Sequence, residues 1–248
     1  MRNVAILIDG GFFLRRITAL GHHNENDTPE QAIGVLKKVI DNHLRSLNQR
    51  YGYKIPPNGR GKVRYLNRPE QQLYRVFYYD AHPYEGRATK PISRDTISFK
   101  NTSAAQFRRK FFTLLKQQRA LALRMGDLAA KGEWILNQER QKKLISGRIT
   151  VGDLTDDDFK FDIKQKGVDM RIGLDIASIT LKKQANTIVL ITGDSDFVSA
   201  AKLARREGVE LILDPLRHNI KNNLFEHIDG LRHGLTRVDQ DDDDDDDA

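Results

Sequence analysis

The chain has no cysteine among its 248 residues, which excludes disulfides, thiolate metal sites and cysteine nucleophiles. It has no apolar run near the roughly 20 residues that span a bilayer, so no membrane-crossing helix and no membrane partner are expected. The apolar segment behind Met1-Arg2-Asn3 is too short for the core of a signal peptide. A cytoplasmic location is the default expectation, although a cysteine-free chain is also compatible with secretion. Hydrophobic residues are modest at 39%. Either the interior is partly polar or the chain carries long solvated segments.

What it does have is basic charge. Its 41 Lys and Arg stand against 34 Asp and Glu, a formal net charge of +7. Seven of those acids form one run, Asp241 to Asp247, so residues 1–240 hold 41 basic and 27 acidic side chains, a balance of +14. Charge of that size steers polyanions toward the body and points to a phosphate-rich partner. The length fits one large α/β domain with insertions or two small ones. A single domain over 1–238 is expected, with insertions at about 50–68 and 81–165. The acidic tail, 239–248, cannot pack a core and is expected to be disordered. It could mimic a polyanion over a basic cleft, discourage aggregation, or be an inert terminus.

Four short apolar or aromatic runs each end in an acid. They are Val4 to Ile8 before Asp9-Gly10-Gly11, Tyr74 to Tyr79 before Asp80, Thr187 to Ile191 before Thr192-Gly193-Asp194-Ser195-Asp196, and Val209 to Leu213 before Asp214. Continuous apolar runs of this length suit parallel strands covered on both faces. The glycines after Asp9 allow a tight turn there. Between the strands lie helical patterns: Ile33, Leu36, Ile40, Leu44 and Leu47 behind Pro29, a second over 103–118 with Ser103 and Gln106 at capping-box spacing, a third over 168–183, and a fourth over 197–207. A strand near Leu121 to Met125 is also expected. Such alternation predicts an open, mainly parallel sheet that binds ligands beyond the carboxyl ends of its strands.

Asp9 and the Asp194/Asp196 pair would then end neighbouring strands on one edge. Asp169 could join them if its helix begins near that edge. Converging carboxylates suit Mg²⁺ or Mn²⁺, which take oxygen ligands, and like charges held together need a cation or a proton to neutralise them. An aspartate after a strand can equally be a turn former or helix cap, and both readings stay open here. Asp80 is a further candidate. Asp175 lies about 240° round the helix from Asp169, so it is expected either to support the site from behind or to make a helix contact.

Three blocks carry a resemblance. Ile8-Asp9-Gly10-Gly11-Phe12-Phe13, Gln165-Lys166-Gly167-Val168-Asp169 with Leu174-Asp175, and Thr192-Gly193-Asp194-Ser195-Asp196-Phe197 resemble the signature blocks of the NYN domain family, most closely its LabA-like branch, within the PIN-like nuclease superfamily. The resemblance implies a Rossmann-like three-layer α/β/α fold with an acidic pocket for Mg²⁺ or Mn²⁺. It implies Asp9, Asp169, Asp194 and Asp196 as metal-binding and catalytic carboxylates, with Ser195 able to donate a hydrogen bond to phosphate. It departs at Phe12, where the family often has Asn.

The 50–68 stretch interleaves Arg50, Lys54, Arg60, Lys62, Arg64 and Arg68 with tyrosines that include Tyr65, and holds no acid. It reads as a basic loop or hairpin whose cations grip phosphates while rings stack on unpaired bases, or as an ordinary solvated loop. Arg108-Arg109-Lys110 reads as the polar face of its helix. Together these point to a metal-dependent endoribonuclease acting on single-stranded or loop RNA, with DNA left open and a 5′-phosphate product implied by the resemblance. The rival is a non-catalytic RNA-binding or regulatory protein that keeps the acidic pocket. A haloacid-dehalogenase-type phosphatase is disfavoured because Gly11 stands where its second aspartate belongs. Protein partners, a homodimer among them, are not specified by the sequence.

Overall fold

The computed structural model of the protein describes residues 2–24, 26–51, 54–55, 64–65, 71–129 and 132–238, with backbone only for Arg2, 49–51, 54–55, 64–65 and 71. In chain order the elements are β1 (Arg2–Asp9), α1 (Gly10–Ala19), α2 (Pro29–Tyr51), β2 (Lys54–Ile55), β3 (Arg64–Tyr65), β4 (Gln71–Ala81), β5 (Arg87–Thr89), β6 (Thr96–Ser98), α3 (Ser103–Lys116) and β7 (Leu121–Leu128). They continue with β8 (Glu133–Leu136), α4 (Gln138–Ile145), β9 (Phe159–Asp162), β10 (Gln165–Lys166), α5 (Val168–Leu181), β11 (Thr187–Ile191), α6 (Val198–Arg206), β12 (Glu210–Asp214), α7 (Asn222–Phe225) and β13 (Gly230–Leu231).

The main sheet has seven strands in the order β10-β7-β4-β1-β11-β12-β13. All neighbours are parallel except β10, which runs antiparallel to β7. The expected mainly parallel α/β fold is therefore the observed one. Alternation along β1 divides the core in two, because successive side chains point to opposite faces. Val4, Ile6 and Ile8 pack with Phe13 and Ile17 of α1, Leu36 of α2 and Phe111 of α3. Ala5 and Leu7 pack with Ile172 and Ile176 of α5 and Ala201 of α6. Helices thus cover both faces, giving three layers.

Helix α1 was not anticipated. The glycines at 10 and 11 suggested a turn, but α1 begins directly at the strand end, with Asp9 as its N-cap. Gly10 is needed for packing instead: a Cβ there would strike the Tyr78 ring and lie 2.7 Å from the Tyr79 carbonyl oxygen. Gly10→Ala is expected to cost about 1–3 kcal/mol of stability, the usual range for overpacking. Urea denaturation checks this, and an unchanged midpoint would contradict the packing role.

Residues 81–165 do not behave as one insertion. Helix α3 supplies Phe111, Phe112 and Leu115 to the main core, and β7 is a strand of the main sheet beside β4. The α3 cap is Thr102, whose hydroxyl accepts from the Ala105 N–H at 3.2 Å, rather than Ser103. The segments 82–102 and 129–164 carry, among the described residues, the small hairpins β5–β6 and β8–β9, α4 and three short 3₁₀ turns. Over 50–68, β2 and β3 form an antiparallel pair, Lys54 opposite Tyr65.

Candidate active site

Parallel strands β4, β1 and β11 bring their carboxyl ends to one edge, and α5 must begin at that edge because it leads back into β11. Asp9 ends β1. After β11, Asp194 caps the short 3₁₀ turn Ser195–Phe197, and Asp196 lies within it. Gly167, at φ +76°, makes the left-handed turn from β10 into α5 and places Asp169 in that helix's first turn. The charges of Asp194 and Asp196 raise the Asp169 carboxyl, and those of Asp169 and Asp80 raise the Asp9 carboxyl, as expected of acids that face one edge.

The capping readings also hold for two of the four. Asp9 Oδ1 accepts from the Phe12 N–H at 3.0 Å, and Asp194 Oδ1 accepts from the Asp196 N–H at 3.0 Å. Each carboxylate thus spends one oxygen on the backbone and leaves the other for different work. Thr192, fully buried, ties them together. Its hydroxyl lies 3.5 Å from Asp9 Oδ2 and accepts from the Asp194 N–H at 3.2 Å. Asp175 makes a helix contact, the second of its two expected roles, accepting from the Tyr79 hydroxyl at 2.8 Å and from Arg124 Nε at 3.2 Å.

The four carboxylates line two adjoining clefts. Asp9 and Asp194 line one of about 310 Å³ with Phe12, Arg15, Ser195, His218 and Lys221. Asp169 and Asp196 line the other, of about 430 Å³, beside Met170 and Phe197. Arg15, Thr192, His218 and Lys221 are additions to the sequence reading. Phe12 is a wall of the first cleft: its ring meets His218 edge-on at 6.0 Å, and Gly193 leaves room for both rings. The loop that carries His218 has Leu216 at φ +44° and Arg217 at φ +59°, and Arg16 holds it by donating twice to the Leu216 carbonyl, at 3.0 and 2.8 Å.

Burial raises the Asp9 carboxyl above its ordinary pKa, opposed by the Phe12 N–H and Arg15 and reinforced by Asp169 and Asp80. Asp169 is raised by burial and then by Asp194 and Asp196. A donor set made only of carboxylates that disfavour one another's charge fits a hard divalent cation in kind. Among the described residues, no group of three His, Asp or Glu side chains stands ready to hold one ion. Mg²⁺ commonly takes one or two carboxylates and keeps waters at its other positions, so a pair from this set suffices.

A carboxyl whose folded pKa is raised binds its proton more tightly in the folded state. Its contribution to stability is therefore lost as pH rises through that raised value. Asp9→Asn keeps a side-chain oxygen for the cap, and Asn caps as well as Asp. The variant is expected to be more stable than the parent at pH 7 by about 0.5–2 kcal/mol. The gain should disappear below the ordinary carboxylate range. Thermal midpoints in EDTA across that pH span test it, and a lower midpoint at pH 7 would count against a strained acidic site.

Asp80 differs from the other four. It is fully buried near the end of β4 and paired with Arg108 of α3. Of the basic residues expected to hold RNA, Arg60, Lys62 and Arg68 lie outside the described residues, and Arg50, Lys54, Arg64 and Tyr65 are described in backbone alone. The acidic tail, 239–248, also lies outside them. No helix among the described residues is long and apolar enough to cross a membrane.

A three-layer α/β/α domain with carboxylates gathered at the carboxyl edge of its parallel strands defines the class of this protein. Residues 109–223 match the NYN domain family. The match takes in the blocks with Asp169, Asp194 and Asp196 and begins after the block with Asp9. No curated protein matches the chain. Among solved structures, a protein of unknown function from Vibrio parahaemolyticus is similar at 12% identity and a TM-score of 0.44, over 94% of this chain and 92% of that one.

Proposed function

We propose that the protein is a metal-dependent endoribonuclease of the LabA-like branch, acting on single-stranded or loop RNA. The observation that carries this reading is the meeting of Asp9, Asp169, Asp194 and Asp196 at one sheet edge, with Asp9 and Asp169 both raised in pKa. The NYN match, to a family of PIN-like nucleases, supports it. Asp9, Asp169, Asp194 and Asp196 would hold Mg²⁺ or Mn²⁺. When bound, such an ion polarises a phosphodiester and makes an attacking water more acidic.

The chain's own groups do the rest. Arg15 and Lys221 border the same cleft as Asp9 and Asp194, so a phosphate entering there meets cations beside the carboxylates. Ser195 offers a hydroxyl at its rim. Thr192 reaches the Asp9 carboxylate with its hydroxyl and steadies the backbone of Asp194 by accepting its N–H. The divided clefts and Phe12 favour the second reading, an RNA-binding protein that does not cut. Turnover separates the two. Purified protein incubated with labelled RNA and DNA should cut RNA in Mn²⁺ or Mg²⁺ and stop in EDTA. Binding without cleavage under every metal condition would leave only the second reading.

A further inference from the structure

The segments 82–102 and 129–164 leave the sheet at the carboxyl ends of β4 and β7, and the second returns into the antiparallel β10 from that same edge. They therefore stand on the edge that carries the acidic site, and Tyr84 is only four residues beyond Asp80. The two segments are held to each other. Asp156 Oδ1 accepts from the Ile92 and Ser93 N–H groups at 3.0 and 3.3 Å. Their shared centre is aromatic: Phe161 stacks on Tyr84 at 5.4 Å, lies 4.5 Å from Phe99, and meets Trp134 edge-on at 5.2 Å.

This cluster is not sealed. Tyr84, Trp134 and Phe161 are only partly buried, and they line an open cavity of about 310 Å³ with Arg87, Thr89 and Gly132. Gly132 keeps its backbone against the ring, since a Cβ there would collide with Phe161. Arg87 is exposed and has no carboxylate partner among the described residues. The indole N–H of Trp134 is buried without a hydrogen-bond acceptor among them. Half-buried rings beside an uncommitted guanidinium match the two faces of a nucleotide: a flat apolar base and an anionic phosphate.

We propose that this cavity is a stacking site for an unpaired nucleobase, placed so that a single strand crossing the sheet edge reaches both it and the carboxylates. The proposal rests on the nucleic-acid reading above but not on cleavage. The rings take the base and Arg87 the neighbouring phosphate. Stacking needs an unpaired base, so a duplex cannot use the site. Nothing in the cavity selects ribose over deoxyribose.

Trp134 is the chain's single tryptophan, so its emission reports on this cavity alone. The full-length protein in EDTA, with and without Asp194→Asn, is titrated with a single-stranded RNA, a DNA of the same sequence, the matching duplex and inorganic polyphosphate. Both single strands should quench Trp134 as they bind, whereas duplex and polyphosphate should leave its emission unchanged. Trp134→Ala should weaken single-strand affinity roughly ten-fold, with Trp134→Phe near the parent. Arg87→Ala, exposed and outside the ring cluster, should weaken it severalfold without unfolding the protein. Binding of single strands with unchanged emission, equal quenching by polyphosphate, or no single-strand binding at all would overturn the proposal. Metal-dependent cutting without quenching would sink this site and leave the nuclease standing, while quenching by a protein that never cuts would do the reverse.

Discussion

Under the proposed nuclease function, replacing Asp194 by Asn is expected to slow metal-dependent RNA cleavage by about 100-fold or more while leaving the fold intact. The magnitude follows from the several kcal/mol that a divalent ion contributes to stabilising charge in the transition state, because about 2.7 kcal/mol is 100-fold in rate. The sparing of the fold follows from geometry. Asp194 Oδ1 accepts the Asp196 N–H, and an Asn oxygen can do the same, so the turn after β11 keeps its cap. The change also removes a negative neighbour that pushes Asp169 upward, so stability at neutral pH should hold or rise. Single-turnover rates in Mn²⁺, together with a thermal midpoint on the same preparation, test both halves. Cleavage at the parental rate would remove Asp194 from the site. A collapsed midpoint would assign it to the turn alone.

Much of this arrangement was legible before any coordinates. The buried runs Val4–Ile8, Ile188–Ile191 and Leu211–Leu213 of β1, β11 and β12 are wholly apolar, and three apolar strands with helices between them leave few alternatives to a parallel sheet. Once that sheet is granted, Asp9, Asp194 and Asp196 fall on one edge by direction alone. Asp169 follows because a helix entering a parallel strand must start at the carboxyl edge. What sequence could not show is how the turn Ser195–Phe197 apportions those acids between two clefts, since that depends on one 3₁₀ turn of local geometry.

Helix α1 was hidden by its own first residues. Two glycines read as a turn, yet Gly10 is present because Tyr78 and Tyr79 lie too close for a side chain. With α1 unread, Arg15 and Arg16 had no place, and the cationic side of the first cleft was invisible. The strands β5, β6, β8 and β9 are three or four residues long, too short for alternation to stand out, and they gain their order from one another and from the rings between them. In the same region, α3 and β7 were grouped with the excursion although they complete the main layers. Their apolar residues give the period of an element but not the partner it packs on.

Asp80 is the instructive case, because in sequence it looks the same as Asp9: an acid at the end of an apolar strand. In space it is fully buried, accepts the Ala81 N–H at 2.7 Å and is paired with Arg108, which had read as the polar face of its helix. Arg108→Ala should therefore leave a buried carboxylate without its cation. The expected loss is about 3 kcal/mol, the low end for breaking a buried pair, because the guanidinium keeps 26% of its surface exposed. Burial raises the Asp80 carboxyl and Arg108 is the main group opposing that rise, so removing Arg108 must raise it further. A raised folded pKa makes stability fall as pH rises through it, so the variant's deficit should be smaller at pH 5 than at pH 8. Adding Asp80→Asn should recover much of the loss, because the group left behind carries no charge. Urea denaturation of the two variants at both pH values distinguishes this from simple loss of side-chain contacts with Phe112, over which Arg108 also lies at 5.7 Å. A deficit that does not change with pH, and that Asp80→Asn does not relieve, would assign the cost to packing instead of to the ion pair.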